Sequence, residues 1–393
     1  MGNSIKLKMN FKYTHLPVAG FLALVLVAGM TSPAFATLVL TSDGSFTGNG
    51  AGGVGVSSDA CGNNSPPCSI EQDVPAGATV LKAYLYATTN FVRPASVDIE
   101  LDGDTKTLAE LPNNDAGFPG FLGSYRADVT ADVAAALGGN AAHVFSVDDS
   151  VELNTVSVNG VGLVIVYRTN TIPAESSVLI FDGGLGASPP TQTLIFGAPV
   201  DTANPAFSAE MRLGIGHGFQ GGAGSQCGGD EAMDSQIDIN SIRLTSCAGN
   251  FDDGLGFNGA LITIGGVGDD LNNPADPFQR AGDGANSLAI EDDERYDIES
   301  FIGNGTTQLD LDTINVSNDD LVFLSILAFE GVTVDIPDRM IGGTVGSLDT
   351  ATLLVAGAQA NMGWWSIVMI GAVAIGAGIV YKVKSNKTNK ETL

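Results

Sequence analysis

The sequence predicts an all-β fold: two tandem β-sandwich (jelly-roll-like) modules followed by one C-terminal transmembrane helix. Three observations carry this expectation. Short apolar runs alternate with clusters of Gly, Asn, Asp and Pro along most of the chain, a pattern of many turn-bounded strands. The strand-rich part spans about 300 residues, more than a single sandwich usually takes. Near the end, Trp364 to Tyr381 is an uncharged run of eighteen residues followed by Lys382, Lys384, Lys387 and Lys390.

The first 36 residues read as a secretory signal peptide. Lys6, Lys8 and Lys12 precede the apolar run LPVAGFLALVLVAGM, and Ala34-Phe35-Ala36 places small residues at both key positions of a cleavage site. The first module is then expected over 37–172. It opens with a loosely alternating stretch, Thr37 to Phe46, that gives way to GNGAGGVG, too glycine-rich for the interior of a regular element. From Ala78, ATVLKAYLYAT sets Leu81, Ala83 and Leu85 on one strand face and Val80, Tyr84 and Tyr86 on the other. SVDIELDGDTKTLAEL follows, with Val97, Ile99 and Leu101 alternating before Asp102-Gly103.

Asp98, Glu100, Asp102, Gly103 and Asp104 imitate the odd-position acids and central glycine of an EF-hand loop, but Ala109 stands where the last ligand is required. Alternation around Asp-Gly is instead a hairpin signal. Tyr125 to Leu137 is the one soluble stretch with helical character, with Asp128 or Thr130 as its N-cap and Gly138-Gly139 as its stop. Val156 to Tyr167, VSVNGVGLVIVY, reads as a turn followed by a nearly continuous apolar run, as a central strand covered on both faces would be. RTNTIPA, at 168–174, marks the division between modules.

The second module is expected over 173–335, with strands beginning at Ser177 to Phe181 and then in TQTLIFGAPV, FSAEMRLGIGHGF, SQIDINSIRLTS, ALITIG and the long run from Leu309 to Gly331. Leu321 to Phe329 is apolar enough to be central. A linker is expected over 336–363, then a spanning helix over 364–381 and a basic cytoplasmic tail over 382–393. Eighteen residues at helical rise give roughly 27 Å, close to the hydrocarbon thickness. The lysines beyond Tyr381 place that end inside and the bulk of the chain outside. Ala372 with Gly376, and Ala374 with Gly378, are small-residue pairs through which two such helices could self-associate.

Charge and cysteines narrow the function classes. The chain carries 44 acidic and 17 basic residues, a net charge of −27, and seven of the basic ones are the terminal lysines. Such a surface repels nucleic acid and attracts cations. The four cysteines, Cys61, Cys68, Cys227 and Cys247, all lie in the exported part, where an even count argues for disulfides. Three connectivities exist, and the short separations favour Cys61 with Cys68 and Cys227 with Cys247.

A search for chemistry finds no G-x-S-x-G, no H-E-x-x-H and no P-loop, and the exported part holds two isolated histidines, His143 and His217. An enzyme is therefore not expected. The connection between Asp269 and Ser300 is rich in acids. Asp269, Asp270 and Asp276, with Asn272 and Asn273, offer the oxygens calcium takes, and these are the candidate metal ligands. No other cofactor is implied.

The series AYLYATTN, YRADVTADVAAALG, VNGVGLVIVYR, VLIFDG and ERYDIESFIGNGTTQLDLDTINVSNDDLVFLSILAF, across residues 78–332, resembles the β-rich modules that open many bacterial and archaeal secreted surface proteins. That resemblance implies an extracellular β-sandwich and transfers no catalytic residues. LDTATLLVAGAQANMGWW with the span and lysines is similar to C-terminal anchor tails handled by exosortase-like or archaeosortase-like enzymes. It lacks their Pro-Glu-Pro and the Leu-Pro-x-Thr-Gly of other sorted proteins, and its last proline is Pro337. The expected role is a membrane-anchored, extracytoplasmic surface protein, structural or adhesive; the alternative is a module binding surface glycans or peptides, with or without calcium. No Trp precedes Trp364, which favours the first, because sugar sites stack rings on Trp or Tyr.

Overall fold

Strands dominate the computed structural model, which describes residues 38–335 apart from 63–66, 91, 112–121, 141, 150–156, 185–190, 217–234, 249–261, 270, 272–293 and 316–320. The expectations for 1–36, for the linker, span and tail over 336–393, and for His217, Cys227, Asp270 and Asp276 lie outside the described residues, as does the side chain of Cys247. Among the described residues no helix is long and apolar enough to cross a membrane.

In chain order the first strands are β1 (Val39–Thr47), β2 (Gly53–Gly62), β3 (Cys68–Ile70), β4 (Thr79–Asn90), β5 (Ser96–Leu101), β6 (Asp104–Glu110) and β7 (Gly123–Asp128). Helix α1 (Thr130–Leu137) follows, then β8 (Phe145–Asp148), β9 (Ser157–Thr169), β10 (Ser176–Asp182), β11 (Gln192–Phe196) and β12 (Ser208–Gly216). The last are β13 (Ser235–Ile239), β14 (Ile242–Ala248), β15 (Ile262–Ile264), β16 (Arg295–Asp297), β17 (Gln308–Asn315), β18 (Leu321–Glu330) and β19 (Val334–Asp335). They form three sheets: eight strands in the order β2-β9-β4-β7-β6-β5-β8-β3; β1-β10-β18-β12-β15 with β16 also on β12; and β14-β13-β17-β11-β19.

The sheet containing β10, β18 and β12 lies between the other two. One of its faces supplies Val178, Ile180, Ile264, Phe323 and Ile326 to a core shared with Val56, Tyr86, Val164 and Val166 of the eight-stranded sheet. Its other face supplies Leu179, Phe181, Met211, Leu213 and Leu327 to a core shared with Leu194, Ile237, Ile239, Leu309 and Leu311 of the five-stranded sheet. Burial on both faces is why β10 and β18 are largely apolar, and β18 is central, as expected for Leu321 to Phe329. A third core, with Leu85, Ile99, Leu108, Tyr125, Leu163 and Phe145, lies on the far face of the eight-stranded sheet and takes in Val133 and Leu137 of α1.

Local expectations fare differently. β5 and β6 form the hairpin, and Asp102 and Gly103 at its turn have φ of 51° and 84°, which Asp tolerates and Gly favours. In β4 the register shifts between Val80 and Lys82, and this bulge turns the strand over. Leu81 therefore packs on the core of Tyr84 and Tyr86, while Val80 joins the side of Ala83 and Leu85, the reverse of simple alternation.

The helix is shorter than expected. Tyr125 to Asp128 belong to β7, paired with β4 and β6, and only Thr130–Leu137 is helical. Its N-cap is Val129, with no capping side chain, rather than Asp128 or Thr130. Asp128 lies just before it and accepts hydrogen bonds from the Thr130 N–H at 3.0 Å and its hydroxyl at 2.5 Å, and Gly138 ends the helix with φ of 50°. β1 also joins the middle sheet by pairing with β10, across the division at 172/173 that composition suggests.

Candidate functional site

Charged side chains gather where the eight-stranded and middle sheets face each other, in two clusters. The first is built on Asp182, the last residue of β10, whose carboxylate is buried. Arg126 of β7 pairs with it, and the Tyr86 hydroxyl of β4 donates to its Oδ2 at 3.0 Å. The Arg126 guanidinium also lies over the Tyr84 ring, 4.6 Å from the centroid. Burial pushes the Asp182 carboxyl up to about 6 in spite of Arg126 and Tyr86, and burial likewise drives the Tyr86 hydroxyl well above its usual range. At the rim, Lys82 bridges Asp43 at 2.9 Å and Asp128 at 2.8 Å. Burial opposes ionisation of Asp128, but Lys82 and Thr130 hold its carboxyl down to about 2.

The second cluster joins β2 to β12, β15 and β16. Arg212, almost wholly buried, donates from Nη1 to Ser58 Oγ at 2.9 Å and pairs with Glu210. Ser58 Oγ in turn donates to the Gly265 carbonyl at 2.5 Å, and the Val267 N–H donates to the Ser58 carbonyl at 2.8 Å. Arg295 reaches Glu210 Oε2 at 2.7 Å, and the Thr263 hydroxyl donates to the buried Glu294 at 2.6 Å. Burial would raise the Glu210 carboxyl, but Arg212 and Arg295 together keep it below the ordinary range.

The predicted site residues distribute as follows. Cys61 and Cys68 form a disulfide, with Cα atoms 6.3 Å apart. Asp269 accepts the Gly266 N–H at 2.6 Å and lies in the field of Arg295, so it belongs to the second cluster. Among the described residues no group of three or more His, Cys, Asp or Glu side chains is placed to hold a metal. His143 has Nε2 at 2.8 Å from Asp102 Oδ2, and Asp102 Oδ1 accepts the Ser146 N–H at 2.9 Å, so the acid at the hairpin turn ties β5 to β8.

Sequence reasoning did not single out Arg126, Asp182, Glu210 or Arg212. The available signal was a lone charge inside an otherwise apolar strand, as in VLIFD and MRLGIG, because a charge so placed must find a partner across the core. The arrangement is one of mutual neutralisation: each guanidinium faces a carboxylate of the same cluster. Ser58 is bonded to a backbone carbonyl and to Arg212, neither of which can act as a base.

No protein family matches the sequence, and no curated protein does either. Among solved structures, the chain is similar to the one titled "Crystal structure of BuGH86wt in complex with neoagarooctaose", at 10% identity and a TM-score of 0.15. That match covers 70% of this chain and 35% of the other. A likeness at this level carries no assignment of fold or activity.

Proposed function

We propose that this chain is a membrane-anchored extracytoplasmic surface protein with a structural or adhesive role, exported by residues 1–36 and held by Trp364–Tyr381. The observation that carries the reading is the way the buried charges are used. Arg126 with Asp182, and Arg212 with Ser58, tie the eight-stranded sheet to the middle one, while Glu210 balances Arg212 and Arg295 within the middle sheet, an arrangement suited to a rigid spacer. The Cys61–Cys68 disulfide supports export, since such bonds persist in oxidising compartments. In this reading the three sheets make two sandwiches that share the middle sheet, and Cys227 pairs with Cys247.

The test is topological. Protease added to intact cells should remove the ectodomain and leave a C-terminal tag protected, while a tag digested from outside would overturn the anchor and its orientation. Peptide mapping without reductant should return a Cys227–Cys247 peptide; a free thiol at either position would refute that pairing.

A further inference from the structure

The two edges of the eight-stranded sheet, β2 and β3, come together without a ladder between them. Residues from both ends line one core: Cys61, Leu163 and Ile165 from the β2–β9 end, and Ile70, Phe145 and Val147 from the β3–β8 end. Three alternate residues of β2 reach across the gap. Ser57 Oγ accepts the Asp73 N–H at 3.0 Å, Asp59 Oδ2 accepts the Glu71 N–H at 2.5 Å, and Cys61 is bonded to Cys68. Because 57, 59 and 61 share one strand face while 73, 71 and 68 run the opposite way, side chains take the place of an antiparallel ladder.

We propose that Ser57, Asp59 and Cys61 form a clasp that closes the eight-stranded sheet on itself, and that the clasp opens when the disulfide is absent and Asp59 carries a charge. β3 is only three residues long and its backbone ladder is with β8, so no ladder fastens the segment 68–73 to the β2 edge. The disulfide confines that segment whatever the pH. Without it, closure rests on the shared apolar packing and on two hydrogen bonds to side chains, one of them to a nearly buried carboxyl.

The charges around Asp59 are unfavourable to its ionised form. Glu71 brings a second carboxylate, Asp73 and Tyr167 of β9 are the other titratable groups along this edge, and Arg212 reaches Ser58 on the opposite face of β2. Burial raises the Asp59 carboxyl to about 7, although the N–H groups of Glu71 and Ala60 act to lower it. Its contribution to closure is fully present below the ordinary carboxylate range and is lost as pH rises through about 7. The clasp thus has two fasteners, one redox-dependent and one proton-dependent.

Hydrogen exchange at the Glu71 and Asp73 amides of the full chain tests this, expressed as protection factors so that the intrinsic effect of pH is removed. With the disulfide intact, both amides should be protected at pH 6 and pH 8. In the Cys61→Ser/Cys68→Ser variant, protection should fall, and opening should rise about tenfold from pH 6 to pH 8. Adding Asp59→Asn should abolish that pH step while the β2–β9 ladder amides keep their protection. If the double variant does not fold, the folded wild type can be treated with a dithiol. Cys61 and Cys68 then become thiols as the reagent closes to its own disulfide, and the same two amides are followed. Undiminished protection after loss of the disulfide, or a pH step that survives Asp59→Asn, would overturn the proposal.

Discussion

Arg126 and Asp182 show how a single buried pair governs this interface. Asp182 is held by one guanidinium and one hydroxyl, so removing the two partners has unequal costs. Arg126→Met leaves a buried carboxylate without its cation and should destabilise the fold by about 3–5 kcal/mol at pH 7.5. Tyr86→Phe removes one hydrogen bond and should cost about 1–2 kcal/mol. Denaturant titration decides between them, and equal losses would mean that packing, not charge, dominates the site. The Arg126→Met loss should also shrink at pH 5. Burial already pushes the Asp182 carboxyl up to about 6, so in acid it takes a proton in place of its partner.

Among the elements, β9 carries two glycines hemmed in by a neighbour from another sheet. Gly160 and Gly162 lie where β15 packs against it: a Cβ on Gly162 would come within 2.1 Å of Ile264 Cδ1, and one on Gly160 within 2.4 Å of both Ile262 Cγ2 and the Cys61 carbonyl oxygen. Alanine at either position should destabilise by about 1–3 kcal/mol, the range for overpacking. Gly160→Ala should cost more, since its clash includes backbone and its φ is 153°, while Ile264 can move the end of its side chain. Thermal unfolding of the two variants checks the order, and a larger loss in Gly162→Ala would show that Ile264 is locked. In the β5–β6 hairpin, Gly103→Ala meets no neighbour but must hold φ of 84°, so its expected cost of about 1 kcal/mol is conformational alone.

For the molecule as a whole, the stability should peak in mild acid. Burial raises Asp59 to about 7, and Asp149 and Asp182 to about 6. Each of these groups favours the folded state below the ordinary carboxylate range and loses that contribution as pH rises through its folded value. Asp128, held at about 2, works the other way: its contribution is present above the ordinary range and lost as pH falls toward 2. The net charge of −27 reinforces the first trend, because self-repulsion weakens as carboxylates take up protons. Urea midpoints should therefore rise from pH 8 to about pH 5 and fall again in stronger acid; a steady increase up to pH 8 would contradict this. Millimolar calcium should leave the unfolding midpoint where a chelator puts it, since Asp269 already accepts the Gly266 N–H and lies in the field of Arg295. An upward shift would instead place a cation site on 269–276.

Much of this architecture is legible in the chain itself. Apolar periodicity located the strands, Asp102-Gly103 announced its hairpin through the backbone conformation only such residues accept easily, and Gly138 marked the end of α1. The short spacing of Cys61 and Cys68 made their pairing legible as well. These features are local: each depends on residues a few positions apart, so the sequence states them directly. Which edge β1 would join, which way β4 would turn after its bulge, and which carboxylate each of Arg126 and Arg212 would meet were decided only in three dimensions. An unpaired strand edge accepts any partner of suitable register, a bulge reverses every side chain beyond it, and a buried charge takes whatever counter-charge the packing of the sheets brings within reach.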